Sequence, residues 1–295
     1  MAAIQNRYDF VILFEVENGN PNGDPDAGNL PRMDPETGIG LVSDVCLKRK
    51  IRNYVQQRGH NIYIQERQTL NSLDQSALGA QLIDTNDVKK LPERIKERKK
   101  DDPDLDIKLR DFMCQNFYDI RTFGAVMTTF VQAALNCGQV RGPVQLTFAR
   151  SIDPVVPQEI AITRMAVTTE KDAAEKKNTI GRKHLIPYAL YRAEGFVSAN
   201  LAQKSTGFSE EDLALLWEAI LNMFEDDHSA ARGRMAVREL VIFRHETPCG
   251  NAPSHTLFER VRASKNTPVP RRYADYDIVV DDAELPEGVT LERRR

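Results

Sequence analysis

Three basic side chains, Lys48, Arg49 and Arg52, occur at the spacing of successive turns of a helix. At about 100° per residue they share one arc, while Leu47 and Ile51 occupy another. A basic helical face of this kind can neutralise the phosphates of a nucleic acid. The same pattern is also typical of an ordinary solvated helix surface, and the three residues alone leave both interpretations open.

Two further places combine a cation with an apolar side chain. A short segment beginning at Asp119 carries Arg121 and Phe123, which could contact phosphate and stack on a base. Alternatively, Phe123 belongs to the core and Arg121 pairs with Asp119. Met165 follows Arg164, and an apolar side chain beside a cation can wedge between stacked bases or simply pack within a strand.

A loop at residues 18–29 carries side-chain oxygens at alternating positions, as calcium-binding loops do. It lacks the glycine at the sixth position and the glutamate at the twelfth, so we do not expect calcium. Its glycines permit close approach of the backbone, whose amides could surround phosphate groups. A plain surface turn is the alternative. The alternating residues are Asn20, Asn22, Asp24 and Asp26.

Other chemistries have no motif in this sequence. It contains no phosphate-binding G-x-x-x-x-G-K-[ST] loop, no dinucleotide-binding G-x-G-x-x-G after a strand and no G-x-S-x-G nucleophile turn. The five histidines are isolated, and the four cysteines are scattered without metal-ligand spacing. We therefore expect neither a metal ion nor another cofactor, and reduced thiols in a cytoplasmic protein. The sequence also shows neither a secretory signal nor a membrane-spanning run.

Length and charge set further bounds. The chain has 295 residues and a net charge of −3, which suits one large domain or two modest ones. The near-neutral total conceals net basic stretches at 41–67 and 160–204 and net acidic stretches at 1–40 and 273–290. Such a chain could bind a polyanion on one face while packing against copies of itself, or could merely have an uneven surface.

The candidate residues require elements to position them. Alternation predicts a central strand over 8–16, and a cap at Ser43 or Asp44 predicts a helix ending near Arg58. Residues 69–118 are predicted to be helical, as an insertion with a small core of its own. Strand patterns follow at 144–150, 160–168 and 185–199, with a turn at Gly181.

The last third of the chain continues the alternation of helices and strands. Ser209 and Asp212 predict a capping box for a helix through Phe224. A strand is predicted over 236–245, a short helix over 254–263 and a last strand over 276–280. The order predicts an α+β fold with an RNA-recognition-type, or ferredoxin-like, sheet.

Three runs of sequence together resemble a known family. The runs are Phe14–Asp26 with its Asn-Gly-Asn-Pro-Asn-Gly-Asp-Pro motif, Ser43–Arg52, and Asp119–Gly124. They closely resemble the backbone subunits of CRISPR Cascade complexes, and most of all the subtype I-C member. The likeness extends over essentially the whole chain, and the Asn-Gly motif is its specific part.

The resemblance implies a hand-shaped α+β protein. Its palm is an RNA-recognition-type sheet, interrupted by a helical finger insertion and a β-hairpin thumb. Copies would polymerise head-to-tail along one CRISPR RNA, and each thumb would kink that RNA so that the guide can pair with invading target DNA. The implied divisions are palm at 1–59, fingers at 60–118, palm at 119–154, thumb at 155–183 and palm at 184–295.

The resemblance also implies which residues bind the RNA. They come from the loop, the basic helix, the segment after Asp119 and the thumb. They are Asn18, Gly19, Asn20, Asn22, Lys48, Arg49, Arg52, Arg121, Phe123, Arg164, Met165, Lys177, Arg182 and Lys183.

The implied partners are CRISPR RNA, target DNA, further copies of the chain, and the large, small and RNA-processing 5′-end subunits. The resemblance implies no catalysis here, because a recruited helicase-nuclease cuts the target. Related type III backbone subunits cut RNA with a loop aspartate, so a ribonuclease using Asp24, Asp26 or Asp34 is one alternative. A single-stranded RNA-binding protein unrelated to defence, or a structural protein that assembles without RNA, is another.

Overall fold

The computed structural model describes residues 2–127, 130, 136–164, 166, 169–170 and 179–295. Met165 and Lys177, two of the predicted RNA-binding residues, lie outside these ranges. The strands are β1 Tyr8–Gly19, β2 Gly23–Asp24, β3 Leu30–Pro31, β4 Ile39–Val42, β5 Gly124–Val126, β6 Gln139–Arg141, β7 Val144–Leu146, β8 Ala149–Pro154, β9 Gln158–Arg164, β10 Thr179–Val197, β11 Arg234–His245, β12 Val261–Lys265, β13 Tyr276–Val280 and β14 Val289–Arg294.

The helices lie between and beside these strands. Residues Ala202–Thr206 add a single π-helical turn after the sixth helix. The helices are α1 Asp44–Gln57, α2 Leu70–Ala80, α3 Leu91–Asp101, α4 Leu105–Asn116, α5 Tyr118–Phe123, α6 Ala199–Leu201, α7 Glu210–Asn222 and α8 Ser254–Phe258.

A large antiparallel sheet forms the centre of the fold, so the α+β prediction is confirmed. Its strand order is β14-β11-β1-β10-β8-β4, and β7 and β9 also pair with β10. The predicted central strand is β1, which is buried on both faces because Phe10 and Ile12 alternate with Val11 and Leu13. It pairs with β10 on one side and with β11 on the other.

Helices α1 and α7 cover the first face of the sheet. Leu47 and Ile51 of α1 and Trp217 of α7 pack with Phe10 and Phe14 in one hydrophobic cluster. Both predicted N-termini are confirmed. The hydroxyl of Ser43 accepts a hydrogen bond from the backbone of α1, and Ser209 and Asp212 form the reciprocal capping box of α7.

The C-terminal segment covers the second face. Leu257 and Phe258 of α8, Val261 of β12 and Tyr276 of β13 pack against Val11 and Leu13 of β1. The prediction of a helix over 254–263 is therefore only half right: α8 ends at Phe258, and the chain continues as β12, paired with β13. The prediction that the last strand lies at 276–280 is wrong, because β14 follows and forms an edge of the sheet.

A second hydrophobic cluster lies in the helical insertion, as predicted. It joins Leu73 and Leu78 of α2, Ile95 of α3, and Leu105 and Leu109 of α4. The cluster also takes in residues beyond the expected end of the insertion at 118, namely Ile120, Met127, Phe130, Cys137 and Val140.

Strands β9 and β10 form a two-stranded ribbon beyond the main sheet. Every residue of β9 is exposed, and the pairing runs from Arg164 opposite Thr179 to Gln158 opposite Leu185. The predicted turn at Gly181 is wrong, because Gly181 lies inside β10 opposite Ile162. Among the described residues, no helix is both long and apolar enough to cross a membrane.

Candidate nucleic-acid interface

The loop after β1 is held against the segment that precedes β11. Asn18 adopts a left-handed backbone conformation (φ +50°), and the amide of Asn20 donates to the carbonyl of Ala231 at 2.8 Å. A Cβ added to Gly19 would lie 1.8 Å from the carbonyl oxygen of Arg232, so only glycine allows this approach. The glycine of the motif is thus explained by contact with a distant segment.

The asparagines of the loop make structural contacts. Asn20 is buried, and its Nδ2 donates to the carbonyl of Asn29 at 2.7 Å. Oδ1 of Asn22 accepts hydrogen bonds from the backbone amide and the hydroxyl of Ser43, each at 3.0 Å. Since Ser43 caps α1, Asn22 fixes the loop beside the N-terminus of the basic helix.

The predicted basic helix and Phe123 come together. The guanidinium of Arg52 lies 5.2 Å from the centre of the Phe123 ring, and Nζ of Lys48 lies 5.7 Å from it. Lys48 also contacts Asp44 and Oε1 of Gln145, both at 3.1 Å. The ring is buried in the main hydrophobic cluster, so the alternative that Phe123 belongs to the core is confirmed, and two cations contact the ring there.

Asp119 organises the base of this group. Its carboxylate accepts from Nε of Arg52 at 2.8 Å and from the backbone amides of Tyr63 and Ile64 at 2.7 and 3.1 Å. Arg52 is only 7% exposed, so it is an anchored residue within the interior. Arg49 lies nearer to solvent and pairs with Glu66 at 2.8 Å.

Arg121 lies apart from this group. Its guanidinium makes two hydrogen bonds to Asp212 of α7, at 2.8 and 2.7 Å, and donates to the carbonyl of Cys114 at 2.6 Å. Burial acts to lower the pKa of Arg121, but the hydrogen bonds and charge of Asp212 outweigh it and raise that pKa. The alternative prediction that Arg121 pairs with Asp119 is therefore wrong: Arg121 pairs with Asp212, which lies far along the chain.

The ribbon carries the remaining described cations of the prediction. Arg182 is 71% exposed and pairs with Glu159 at 3.0 Å, while Nε of Arg164 donates to the carbonyl of Ala166. Nζ of Lys183 donates to the carbonyl of Ala230 at 2.6 Å. The backbone amide of Asn20 donates to the carbonyl of Ala231, the residue after Ala230. The base of the ribbon and the glycine loop therefore contact the same segment.

Three further cations lie where the glycine loop, the base of the ribbon and the segment before β11 meet. They were not predicted from the sequence as part of the interface. Lys50 pairs with Asp227, as does Arg232 at 3.2 Å, and Arg234 pairs with Glu17. Burial lowers the pKa of Lys50, although Asp227 acts in the opposite direction. Lys50 stood within the basic run but on another arc of the helix. The two arginines had no local signal, because their place depends on pairing between β1 and β11.

The loop carboxylates have cationic partners. Asp24 pairs with Arg32 at 3.3 Å, and Asp34 pairs with Arg150 at 3.2 Å. The backbone amide of Glu36 lowers the pKa of Asp34. In the part of the chain that the structure describes, no three His, Cys, Asp or Glu side chains are grouped so that they could hold a metal ion.

Comparison with known protein families gives a match over nearly the whole chain. The family model described as CRISPR-associated protein Cas7 matches residues 6–281. The chain belongs to the Cas7 family. A relative from Haloferax volcanii, the CRISPR-associated protein Cas7, is 26% identical over 98% of this chain and 83% of its own length. The resemblance inferred from the three sequence runs is thereby confirmed at the level of the Cas7 family.

One solved structure supports the fold. A chain of a CRISPR RNA-guided surveillance complex in a pre-nicking state superposes with a TM-score of 0.50 at 13% identity, covering 80% of this chain and 78% of the other. A second surveillance complex gives 0.47 at 15% identity, covering 80% and 68%. The first superposition supports a Cas7-like α+β architecture.

Proposed function

We propose that this Cas7-family chain is the backbone subunit of a type I-C CRISPR Cascade effector complex. In this proposal it polymerises along a CRISPR RNA, grips the phosphate backbone and kinks the RNA at intervals. A guide held in this way is free to pair with target DNA, since base pairing supplies the sequence specificity. The protein then needs a local basic track and few contacts to base edges.

The observation that carries the proposal is the junction of three distant segments. The glycine loop, the base of the β9–β10 ribbon and the segment before β11 are joined by hydrogen bonds to Ala230 and Ala231. The same junction carries Lys183, Arg232 and Arg234. These cations lie at the end of β1, beside the glycine loop. Asn22 of that loop accepts a hydrogen bond from Ser43, the residue that caps α1.

The topology supports the proposed palm. The four strands β1, β8, β10 and β11, with α1 after the first and α7 after the third, lie in the spatial order β11-β1-β10-β8. This is the strand order of a ferredoxin-like sheet. The separate cluster of the helical insertion supports the proposed fingers at 60–118, and the exposed ribbon supports a thumb at 155–183.

The palm differs from a single RNA-recognition module in one respect. Such modules bind bases on aromatic side chains of the sheet face that carries no helices. Here that face is covered by α8, β12 and β13. This coverage favours RNA binding at the loop and ribbon over the alternative of a stand-alone single-stranded RNA-binding protein.

The decisive experiment is a salt titration. The full chain, freed of co-purified nucleic acid, is mixed with a labelled single-stranded RNA of guide length. Arg182→Ala and Lys183→Ala should each lower affinity and flatten the slope of log K against log salt by about 0.7 to 1. Lys204→Ala, an exposed lysine in the π-helical turn, is the matched control and should change neither.

Two results would reject the proposal. One is an absence of affinity for single-stranded RNA at low salt. The other is a chain that stays monomeric when a full-length guide is present. A supporting result is small RNA of uniform length bound to the chain as purified from cells that carry the complex.

We propose no catalytic role for the chain. This is supported by Asp24 and Asp34, each of which is ion-paired with an arginine. The complex should therefore leave complementary RNA intact in the presence of magnesium. Periodic cuts that disappear in Asp24→Ala or Asp26→Ala would establish the ribonuclease alternative instead.

Partners other than RNA follow from the same proposal. They are further copies of the chain, the large, small and RNA-processing subunits, target DNA, and a recruited helicase-nuclease. Co-purification of these subunits with the tagged chain, before and after nuclease treatment, separates contacts made through protein from contacts made through RNA.

A further inference from the structure

Strand β11 contains an irregularity near the middle of its pairing with β1. The register shifts between Leu13 and Phe14, which leaves Arg238 without a cross-strand partner. Consecutive residues of a regular strand point to opposite faces, but a β-bulge re-aims a side chain. Here Arg238 and Glu239 contact the same ring, that of Tyr273, with the guanidinium 4.8 Å from its centre and Oε2 of Glu239 accepting from its hydroxyl at 3.0 Å.

Two buried carboxylates hold the guanidinium of Arg238 and the ring of Tyr273 in this stacked arrangement. Glu239 is fully buried and holds the hydroxyl of Tyr273, while Glu15 is 3% exposed and pairs with Arg238 at 3.3 Å. Burial and the charge of Glu239 raise the pKa of Tyr273 to about 12, so its hydroxyl remains a donor at neutral pH. A buried carboxylate is costly unless it is paired, and each of these two positions one member of a planar pair.

The pair forms one wall of a cleft of about 450 Å³, a volume within the range of small-ligand sites. Arg238 is 42% exposed and Arg295, on the rim, is 68% exposed. The remaining lining comes from Val237, Tyr276 and Ile278. A guanidinium and a tyrosine ring beside an apolar floor present flat surfaces on which a base can stack.

The rim supplies charge for a phosphate chain. Arg295 follows β14, which ends in two further arginines. Arg293 is engaged by Glu239, and Nε of Arg295 lies 3.9 Å from the same carboxylate. Arg294 pairs with Glu292 at 2.7 Å and lines a different cleft, beside α7, so Arg295 is the β14-side cation that borders this one. The cleft thus combines a stacking surface with a cationic border, the two components of single-strand binding sites.

We infer that this cleft binds an unpaired base of a single-stranded nucleic acid, stacked against Tyr273 and Arg238, with Arg295 at its rim contacting the adjoining phosphate. The cleft lies on the face of the sheet opposite α1 and α7. It is therefore a contact additional to the loop and ribbon of the proposed function. In a duplex each base is paired and stacked on its neighbours, so it cannot stack on these surfaces. Double-stranded nucleic acid should therefore not bind in the cleft.

The test measures anisotropy of labelled twelve-nucleotide probes, U12 and dT12, with the full chain. Tyr273→Leu removes the ring, and Arg238→Lys keeps the charge but loses the plane. Each should weaken binding of a single strand by about fivefold or more while leaving the salt slope unchanged. Tyr273→Phe keeps the ring and is the matched control, expected within about twofold of the natural chain.

The outcomes separate this site from the loop and ribbon. Lys183→Ala should flatten the salt slope, whereas the Tyr273 and Arg238 variants should not. Weakening with U12 alone assigns the cleft to RNA, with dT12 alone to DNA, and with both to either strand. Unchanged binding of both probes by Tyr273→Leu overturns the inference, whatever Lys183→Ala does.

A second readout guards against a folding defect. U12 carrying 4-thiouridine is crosslinked to the natural chain, and the modified peptide is identified. Attachment within residues 273–278 supports the inference, and attachment only elsewhere rejects it. If Tyr273→Leu melts at a lower temperature than the natural chain, Arg238→Lys decides the affinity test.

Discussion

Single side chains in this protein act mainly by holding distant segments together. Arg52 belongs to the basic pattern of α1, yet its guanidinium is buried against Asp119 and the Phe123 ring. Its spacing within the helix was visible in the sequence. Its partner was not, because an ion pair between residues 67 positions apart leaves no local pattern.

Asp119→Asn tests this anchoring. The substitution keeps the shape but leaves the buried Arg52 without its counter-charge. Loss of one partner of a buried pair destabilises by about 3–5 kcal/mol, so the urea midpoint should fall clearly. Asp111→Asn, at a half-exposed pair with Arg110, should change stability by less than about 1 kcal/mol. Equal effects of the two variants would contradict the anchoring role.

Tyr191 predicts a pH effect. Its hydroxyl is buried without a hydrogen-bond partner among the described atoms, and burial raises its pKa. The unfolded chain then ionises first, so this stability is present below about pH 10 and is lost as the pH rises further. Tyr191→Phe should reduce that alkaline loss in urea titrations and leave the neutral protein equally stable or more stable, by about 1 kcal/mol.

Tyr188→Phe provides the contrast. The hydroxyl of Tyr188 donates to the buried Glu15 at 2.9 Å. Its removal should cost about 1–3 kcal/mol at neutral pH, because the carboxylate loses a donor. If both tyrosine variants behaved alike at pH 7, burial of the unpaired hydroxyl would not explain Tyr191.

Elements with strong local signals could be predicted, and elements set by tertiary pairing could not. Strand β1 and helices α1 and α7 were evident from alternation and capping residues. Half of the residues of strand β14 are charged and its apolar part is short, so its pairing with β11 is what identifies it. Gly181 suggested a turn, but the pairing with β9 extends β10 through it.

The same distinction applies to the candidate interface. The glycine loop and the basic helix were found from motif and spacing, since each is contiguous in sequence. The segment that joins them to the ribbon, residues 229–234, carries no motif and is defined by contacts with residues far away in the sequence.

Gly19→Ala tests the junction between β1 and that segment. The new Cβ would overlap a backbone carbonyl oxygen, so the loop must move away from residues 231–233. We expect a loss of about 1–3 kcal/mol in stability and weaker RNA binding, measured by urea unfolding and anisotropy. Gly79→Ala in α2 meets no atom within 4 Å and should instead stabilise by about 0.5–1 kcal/mol.

For the whole molecule, the uneven charge suggests how copies associate. Residues 273–290 are acidic, and Asp281 and Asp282 lie just beyond β13. A heterologous contact between this segment and one of the net basic stretches of the next copy, 41–67 or 160–204, would produce an open, head-to-tail assembly. This arrangement is a hypothesis that rests on the proposed function.

Reversing both charges, Asp281→Lys with Asp282→Lys, should shorten filaments formed on a guide RNA, as seen by electron microscopy. The defect should be greater at low salt, where charge attraction contributes most. Glu225→Lys, an exposed acid elsewhere, should not shorten them. Filaments of unchanged length in the double variant would exclude the acidic segment from the contact.

The central position of β1 has a consequence for biosynthesis. This strand leaves the ribosome well before its partners, residues 186–197 and 234–244. At about 5–20 residues per second, the nascent chain carries this apolar strand with both edges unpaired for on the order of ten seconds or longer. During that interval it is a natural ligand for a ribosome-associated chaperone, and slower translation should increase the aggregated fraction.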